Sequence, residues 1–338
     1  MRPLNGLGGP NYTWTTMTAR EVQAILELNP ECLLLIGYPN SPVLDQKIEQ
    51  EAGIYEQLGR PPTLLRVYAP DIFERDPILW AGTFTRLVKR YRDAGMDVEG
   101  VGDNEPRIEA PGKTIKQTTL WRSIFGQEVK EQLPNLRLHC GADAPGEHLE
   151  DDWFYQRDHD LQAIYDVRDA HAYTPEQLAQ VALARRLFKL PVWLTEFNQM
   201  LPSQVLANAP AGVEACCYFI LSGEGRENVR YWLLTNATYY DDFKTARNGE
   251  TPSQDAPLSP SEGIPELQNI HGGSMALKDE HPDEFAAWEA AGGVENNFRK
   301  HLLGIGVIAA TAEDLEFLAD EAASGIAQLK GTLNAFLG

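Results

Sequence analysis

Three short polar stretches, each following an apolar run, hold the residues whose types and order could do chemistry. They are Asn104–Glu105, the alternating set Asp169, His171 and Tyr173, and Glu196 with Asn198. Two carboxyl groups in one cleft can cleave a glycosidic bond, one as proton donor and the other as nucleophile, if their surroundings keep one protonated and one ionised. An imidazole and a phenol beside the nucleophile would favour its ionised form. Asn104 could hold a sugar hydroxyl near the reacting carbon.

The order of elements predicts a scaffold that brings these distant stretches together. Strand-like runs alternate with helical stretches along residues 1–248. The strands are predicted at 2–9, 31–39, 62–70, 96–106, 136–143, 165–174, 191–199 and 214–222. This alternation indicates a parallel sheet covered by helices, and eight units in about 250 residues favour a closed (β/α)8, or TIM, barrel. Because active sites of such barrels lie at the carboxyl ends of the strands, the three stretches would meet at its mouth.

Side-chain alternation predicts the direction of residues near the ends of the fourth and seventh strands. Strict alternation places Asp103 and Glu105 on one face of the fourth strand and Asn104 on the other. A β-bulge at this strand end would present both Asn104 and Glu105 to the mouth. The same alternation places Trp193 out of phase with Glu196, and therefore under the helices.

Three motifs in this order resemble those of the clan A retaining glycoside hydrolases, the (β/α)8 group that includes cellulase-, mannanase- and β-galactosidase-like enzymes. The motifs are Asn-Glu-Pro at 104–106, His-Ala-Tyr at 171–173 and Trp-Leu-Thr-Glu-Phe-Asn at 193–198. The resemblance covers about residues 1–248. It implies that Glu105 is the acid/base, that Glu196 is the nucleophile and that Asn104 binds the sugar 2-hydroxyl. His171 and Tyr173 would support the site, and Asn198 and Tyr68 are further predicted substrate-binding residues.

The chain departs from that family at two positions. The family usually presents a tryptophan at the end of strand eight as a sugar platform, whereas the stretch here reads YFILSGEG. Tyr218 or Phe219 substitutes for it, or the platform is absent. The family's usual arginine near the end of strand two is missing from LLLIGYPN, and Arg66 lies on strand three instead.

The residues after the barrel differ in composition. Residues 249–266 are rich in Pro, Ser, Gly and acidic residues and are typical of a linker. Residues 267–338 are predicted to be a small helical appendage, and an apolar stripe with helical spacing runs through residues 311–338. That stripe fits either a helix packed on the barrel or a surface for self-association.

Bulk composition excludes several classes of partner. The formal net charge of −20 argues against nucleic acid and against an anionic membrane surface, and no apolar run reaches the roughly 20 residues of a membrane span. The acidic stretch 147–160 lacks the fixed ligand spacing of a metal loop, so it is interpreted as a solvated rim. No metal and no cofactor are predicted, and the expected partner is an oligo- or polysaccharide.

Cysteine usage and the N-terminus bear on localisation. The cysteines lie in apolar runs without a Cys-x-x-Cys pair, which predicts buried thiols in a reducing compartment; they are Cys32, Cys140, Cys216 and Cys217. The start MRPLNGLGGP has no signal-peptide apolar region. The expectation is a cytoplasmic protein, or one released without a signal peptide. The alternative function is a non-catalytic carbohydrate-binding or structural barrel, such as a virion or tail component.

Overall fold

The computed structural model describes residues 2–10, 14–69, 71–146, 148–222 and 232–247. Within them, parallel strands close into a barrel in chain order, which confirms the predicted (β/α)8 architecture. The strands are β1 (Leu4–Gly8), β2 (Cys32–Gly37), β3 (Thr63–Val67), β4 (Val98–Val101), β5 (Leu138–Cys140), β6 (Val167–His171), β7 (Val192–Phe197) and β8 (Val213–Tyr218). Each lies within its predicted range, except that β8 begins one residue earlier.

Helices cover the outside of the barrel. They are α1 (Ala19–Leu28), α2 (Leu44–Gln57), α3 (Pro77–Asp93), α4 (Pro106–Glu109), α5 (Ile115–Gln132), α6 (Leu149–Asp158), α7 (Pro175–Phe188), α8 (Pro202–Asn208) and α9 (Ala237–Arg247). Capping residues fix where several of these helices begin, because a side-chain oxygen of the capping residue accepts a hydrogen bond from an unpaired backbone N–H of the first turn. Thr114 forms a capping box with Gln117 at the start of α5, and Asp76 caps α3.

The barrel interior contains an apolar cluster that is separate from the layer between strands and helices. The interior cluster consists of Cys32, Leu34, Leu64, Val101, Val167, Trp193, Ala215 and Cys217. Gly6 is required where this cluster is tightest, because a Cβ there would lie 2.4 Å from the Cys32 sulfur and 2.7 Å from the Cys217 sulfur. The barrel is therefore a packed core, and only its mouth is available for chemistry.

The position of Trp193 corrects the alternation argument. Trp193 lies inside the barrel rather than under the helices. In the ladder between β6 and β7, Ala170 pairs with Leu194 but His171 pairs with Glu196, so one residue is skipped. This β-bulge brings Trp193 and Glu196 to the same inward face.

The described part of the chain has no bulge at the end of β4, and the chain turns in the following loop instead. The pairing of β4 with β5 is regular, and β4 ends at Val101. Asn104 and Glu105 follow it in a loop, where Glu105 adopts a left-handed backbone conformation with φ 33° and ψ 65°. The change in chain direction therefore comes from Glu105 in the loop, and not from a bulge within β4.

The predicted linker 249–266 and helical region 267–338, including the apolar stripe at 311–338, lie outside the described residues. Within the described part of the chain, no helix combines the length and the apolar character needed to cross a membrane.

Candidate active site

Glu196 lies at the end of β7, where the bulge turns its carboxyl group into the barrel mouth. The residue is only 6% exposed. Arg66 of β3 donates to Oε1, and the hydroxyl of Tyr173 donates to Oε2 at 2.9 Å. Burial raises the pKa of Glu196, but electrostatic interactions with His171 and Arg66 and the two hydrogen bonds outweigh burial and hold it below its ordinary value. Glu196 is therefore a carboxylate at neutral pH.

Glu105 faces the same imidazole from the opposite side. His171 Nδ1 lies 2.7 Å from Glu105 Oε1, and His171 Nε2 lies 3.6 Å from Glu196 Oε1. Arg66 Nη2 lies 3.4 Å from the same Nε2. Since a guanidinium only donates, this contact leaves the imidazole proton on Nδ1, from which it is donated to Glu105. The two predicted catalytic carboxyl groups thus lie at the two nitrogens of one ring.

The backbone around Glu105 explains how a loop residue is held in place. Its N–H donates to Ala142 O at 2.8 Å, and its carbonyl accepts from the N–H groups of Ile108 and Glu109, both at 2.9 Å. A left-handed conformation is rare for a residue with a side chain and persists only where its surroundings enforce it. Here the neighbouring β5 loop and helix α4 enforce it, and the Glu105 side chain points to His171.

Beneath this loop lies a fully buried ion cluster centred on Arg122 of α5. Arg122 donates to Asp103 Oδ1 at 2.8 and 2.5 Å, to Asp143 Oδ1 at 2.7 Å and to Gly141 O at 2.9 Å. Arg168 of β6 also binds Asp143. The cluster ties the loops after β4 and β5 to α5, and so positions Glu105, two residues after Asp103.

Asn104 lies beside Glu105, and its side chain is hydrogen-bonded to Glu109 rather than to either catalytic carboxyl group in the described structure. It is 7% exposed, and its Nδ2 donates to Glu109 Oε1 at 3.2 Å. Its Oδ1 is buried and has no hydrogen-bond partner among the described residues.

Tyr173 is joined directly to the site, whereas Tyr68 and Asn198 lie around it. Burial and the charges of Glu196 and Glu105 raise the pKa of Tyr173, so its phenol remains a donor. Tyr68 follows β3 and packs edge-on against Tyr38 at 5.8 Å between ring centroids. Asn198 follows β7, and its backbone carbonyl accepts from the Tyr218 hydroxyl at 3.3 Å. No described hydrogen bond links Tyr68 or Asn198 to Glu105 or Glu196, so their predicted roles in binding stay predictions.

Tyr218 and Phe219, the two candidates for a sugar platform at the end of strand eight, differ in how far they are buried. Tyr218 is fully buried and packs edge-on against Phe197 and Tyr239, at 5.4 and 5.7 Å between ring centroids. Phe219 is partly exposed and packs against the interior cluster of the barrel. Of these two candidates, Phe219 is therefore the more exposed.

Sequence reasoning gave no role to three residues that shape the site: Arg66, Arg122 and Glu109. Arg66 had a detectable signal, because it is the one charged residue in the apolar run PTLLRVYAP and shares a face with Leu64 and Tyr68. Arg122 and Glu109 lie on helices, where charged residues are normally solvated, and nothing in their spacing marks them as buried.

Below the carboxyl groups, the interior of the barrel holds a second polar contact. His139 of β5 is fully buried, and its Nδ1 lies 2.7 Å from Asp169 Oδ1 and its Nε2 lies 2.6 Å from Glu99 Oε2. Asp169 precedes His171 by two residues on the same face of β6, so it lies one layer beneath the mouth. In the described residues, no group of three His, Cys, Asp or Glu side chains is arranged to hold a metal ion.

Comparisons with known proteins bear on the fold. No protein-family model matches the chain, and no curated protein sequence matches it. Among solved structures, a glucosidase from Croceicoccus marinus is 11% identical with a TM-score of 0.51, over 73% of this chain and 68% of that one. A family 39 β-xylosidase from Caulobacter crescentus is 14% identical with a TM-score of 0.51, over 73% and 75% of the two chains.

A β-mannanase from Thermomonospora fusca, solved in complex with mannohexaose, is also similar. It is 14% identical with a TM-score of 0.51, over 69% of this chain and 82% of that one. At such identities the likeness shows the fold alone. The chain therefore has the (β/α)8 barrel that the resemblance to clan A glycoside hydrolases predicted.

Proposed function

We propose that this chain is a retaining glycoside hydrolase that cleaves β-glycosidic bonds with Glu196 as nucleophile and Glu105 as acid/base. The observation that carries the proposal is the contact of both carboxyl groups with the two nitrogens of His171. Retaining enzymes need their carboxyl groups about 5–5.5 Å apart, close enough for one to attack while the other protonates. His171 contacts both carboxyl groups and so brings them to the same part of the barrel mouth.

The first step would form a glycosyl-enzyme. Glu196 Oε attacks the anomeric carbon and forms a C–O bond, while the bond from that carbon to the leaving oxygen breaks. Glu105, in its acid form, gives its proton to that oxygen. Arg66 and Tyr173 keep Glu196 ionised and oriented before the attack.

The second step would release the sugar. Glu105, now a carboxylate, takes a proton from water, whose oxygen bonds to the anomeric carbon as the bond to Glu196 breaks. The products are the free sugar with retained configuration, the Glu196 carboxylate and the Glu105 acid. Asn104 would hold the sugar 2-hydroxyl during both steps.

The substrate class follows from the mouth of the barrel and from its structural neighbours. Carboxyl groups, an amide and the partly exposed rings of Tyr38, Tyr68 and Phe219 follow the carboxyl ends of the strands, and such groups suit the polar edges and apolar faces of sugar rings. The similar Thermomonospora fusca β-mannanase was solved with mannohexaose. We therefore propose an oligo- or polysaccharide substrate, and manno-oligosaccharides are the first to test.

The test is turnover of aryl β-glycosides by Glu196→Gly and Glu105→Gln, with Glu131→Gln on the exposed face of α5 as the matched control. Glu196→Gly should lose activity and regain turnover when azide replaces the missing nucleophile, whereas Glu131→Gln should behave as the wild type. A 2-fluoro-sugar inactivator should label Glu196. Wild-type turnover by both Glu105→Gln and Glu196→Gly would refute the proposal, and saccharide binding without turnover by the unaltered chain would favour a non-catalytic barrel.

A further inference from the structure

Asn104 and Glu109 form a contact that the reaction scheme does not use. Asn104 Nδ2 donates to Glu109 Oε1 at 3.2 Å, and Glu109 is held one helical turn from Glu105 by its backbone N–H. The two remaining polar atoms of this pair, Asn104 Oδ1 and Glu109 Oε2, are both buried. Neither has a hydrogen-bond partner among the described residues.

These two atoms cannot satisfy each other while Glu109 is ionised, because an amide oxygen and a carboxylate oxygen are both acceptors. One added proton removes the conflict. A proton on Oε2 can be donated to Oδ1 while Nδ2 donates to Oε1, so that the planar carboxyl and carboxamide groups share two antiparallel hydrogen bonds. Both buried atoms would then be paired.

The groups around Glu109 favour this proton. Burial is the largest effect and raises the pKa of Glu109 to about 8, and the carboxylate of Asp103 acts in the same direction. The hydrogen bond from Asn104 and the charge of Arg66 oppose them but are outweighed. On the adjoining 3-10 helix (Ile72–Glu74), Ile72 and Phe73 are buried and apolar, and Glu74 is paired with Lys113 at 3.0 Å. Burial raises the pKa of the nearby Tyr68 to about 12, so its phenol adds no charge.

We propose that Glu109 is a neutral carboxylic acid in the working enzyme, and that it is a positioning residue which locks the carboxamide of Asn104 through a two-bond pair. Ionisation of Glu109 breaks one of the two bonds and leaves Asn104 Oδ1 unpaired and free to turn. Asn104 then loses its fixed orientation toward the sugar 2-hydroxyl. The protonation state of Glu109 can be tested without a substrate, whereas its effect on catalysis rests on the proposed function.

The first experiment measures protonation alone. An infrared difference spectrum of the full chain between pH 6.5 and pH 9.5 should contain the carbonyl band of a protonated carboxyl group that disappears at the higher pH. Glu109→Gln should lack this band, while the control Glu74→Gln should keep it. The variant comparison is needed because burial also raises the pKa of Glu51. A band that persists in Glu109→Gln, or no such band in the wild type, would overturn the inference.

Glutamine imitates the neutral acid, because its amide can form the same two bonds with Asn104, so the activity test compares Glu109→Gln with Glu109→Ala. A dinitrophenyl glycoside is the substrate, because its leaving group needs no proton from Glu105. Wild-type kcat/KM should fall with an apparent pKa of about 8, and Glu109→Gln should lack this fall. Glu109→Ala should lose about 10- to 100-fold in kcat/KM, as expected for a misplaced site residue. Glu109→Gln should recover most of that loss, and this difference should vanish on a 2-deoxy glycoside.

The outcomes separate the two proposals. A protonated Glu109 in a chain that hydrolyses no glycoside would refute the proposed function and leave the two-bond pair standing. Hydrolysis by a chain whose Glu109 is ionised at pH 7 would refute the pair alone. If Glu109→Gln does not fold, carbon-13 carboxyl titration of labelled glutamates in the wild type decides the question. The inference would be overturned if none of the glutamates titrated between pH 7 and pH 9.

Discussion

Raising the pH should destabilise the barrel through one buried side chain, His139. Its two ring nitrogens contact Asp169 and Glu99 at 2.7 and 2.6 Å. Burial lowers the pKa of His139, but the two carboxylates outweigh burial and raise it to about 9. Only the imidazolium form can donate from both nitrogens, so the folded protein holds the charged form.

The size of the effect follows from the difference between the folded and unfolded pKa values of His139. The unfolded imidazole titrates near 6.5 and the folded one at about 9. Between these values the folded protein binds more protons than the unfolded chain, so the free energy of unfolding falls as pH rises. At about 1.36 kcal/mol per pKa unit, the loss is about 3 kcal/mol. The contribution is fully present below pH 6.5 and is lost as pH rises through about 9.

Urea unfolding at several values between pH 6 and pH 9.5, followed by tryptophan fluorescence, measures this loss. His139→Gln should be less stable at pH 6 and should show a flatter dependence on pH. His159→Gln is the matched control, because His159 is exposed at the end of α6 and should leave the wild-type slope in place. Buried thiols such as Cys140, whose pKa burial raises to about 11, are common to all three proteins and cancel in the comparison. Equal pH slopes for the wild type and His139→Gln would refute the reasoning.

Three further predictions concern other buried contacts. Arg66→Met removes the cation bound to Glu196, so the pKa of that carboxyl group should rise and the acid limb of the kcat/KM profile should move to higher pH; an unmoved limb would contradict the assigned contact. Arg122→Met leaves the buried carboxylate of Asp103 without its cation and Asp143 with Arg168 alone, and should cost about 3–5 kcal/mol in urea unfolding, whereas a loss below 1 kcal/mol would show that the cluster relaxes. Gly6→Ala places a methyl group 2.4 and 2.7 Å from two cysteine sulfurs, which should cost about 1–3 kcal/mol of overpacking and lower the Tm; an unchanged Tm would show that the thiols move aside.

Regular features of the barrel could be predicted from the sequence because they repeat. Apolar strands alternate with helical stretches, and the carboxyl ends of parallel strands meet at one edge, so Glu105, His171 and Glu196 could be expected to share a mouth. His171 and Tyr173 were expected to support the nucleophile. The structure adds that His171 contacts both carboxyl groups, while Tyr173 donates a hydrogen bond to Glu196.

Local departures from regular geometry could not be predicted in the same way. The alternation of side chains assumes an unbroken strand, so the skipped residue between Leu194 and Glu196 reversed the expected direction of Trp193. The left-handed conformation of Glu105 has no signal in composition, because only its contacts with Ala142 and α4 enforce it. Both irregularities lie beside the candidate catalytic residues, where local rules are most often broken for function.

A line of alternating charges explains how a carboxylate as buried as Glu196 stays ionised. Glu99 and Asp169 flank His139 in the barrel interior, and the charge of Asp169 also raises the pKa of Arg66, which in turn binds Glu196. Each buried charge thus has an opposite neighbour, and none is left to bear the full cost of desolvation alone. Asp169 interacts with two cations, His139 and Arg66. If His139 lost its proton, Arg66 would be the cation left to balance the charge of Asp169 as well as that of Glu196. The pairing that keeps Glu196 ready to attack is therefore supported from the layer beneath it, and not only by the residues at the mouth.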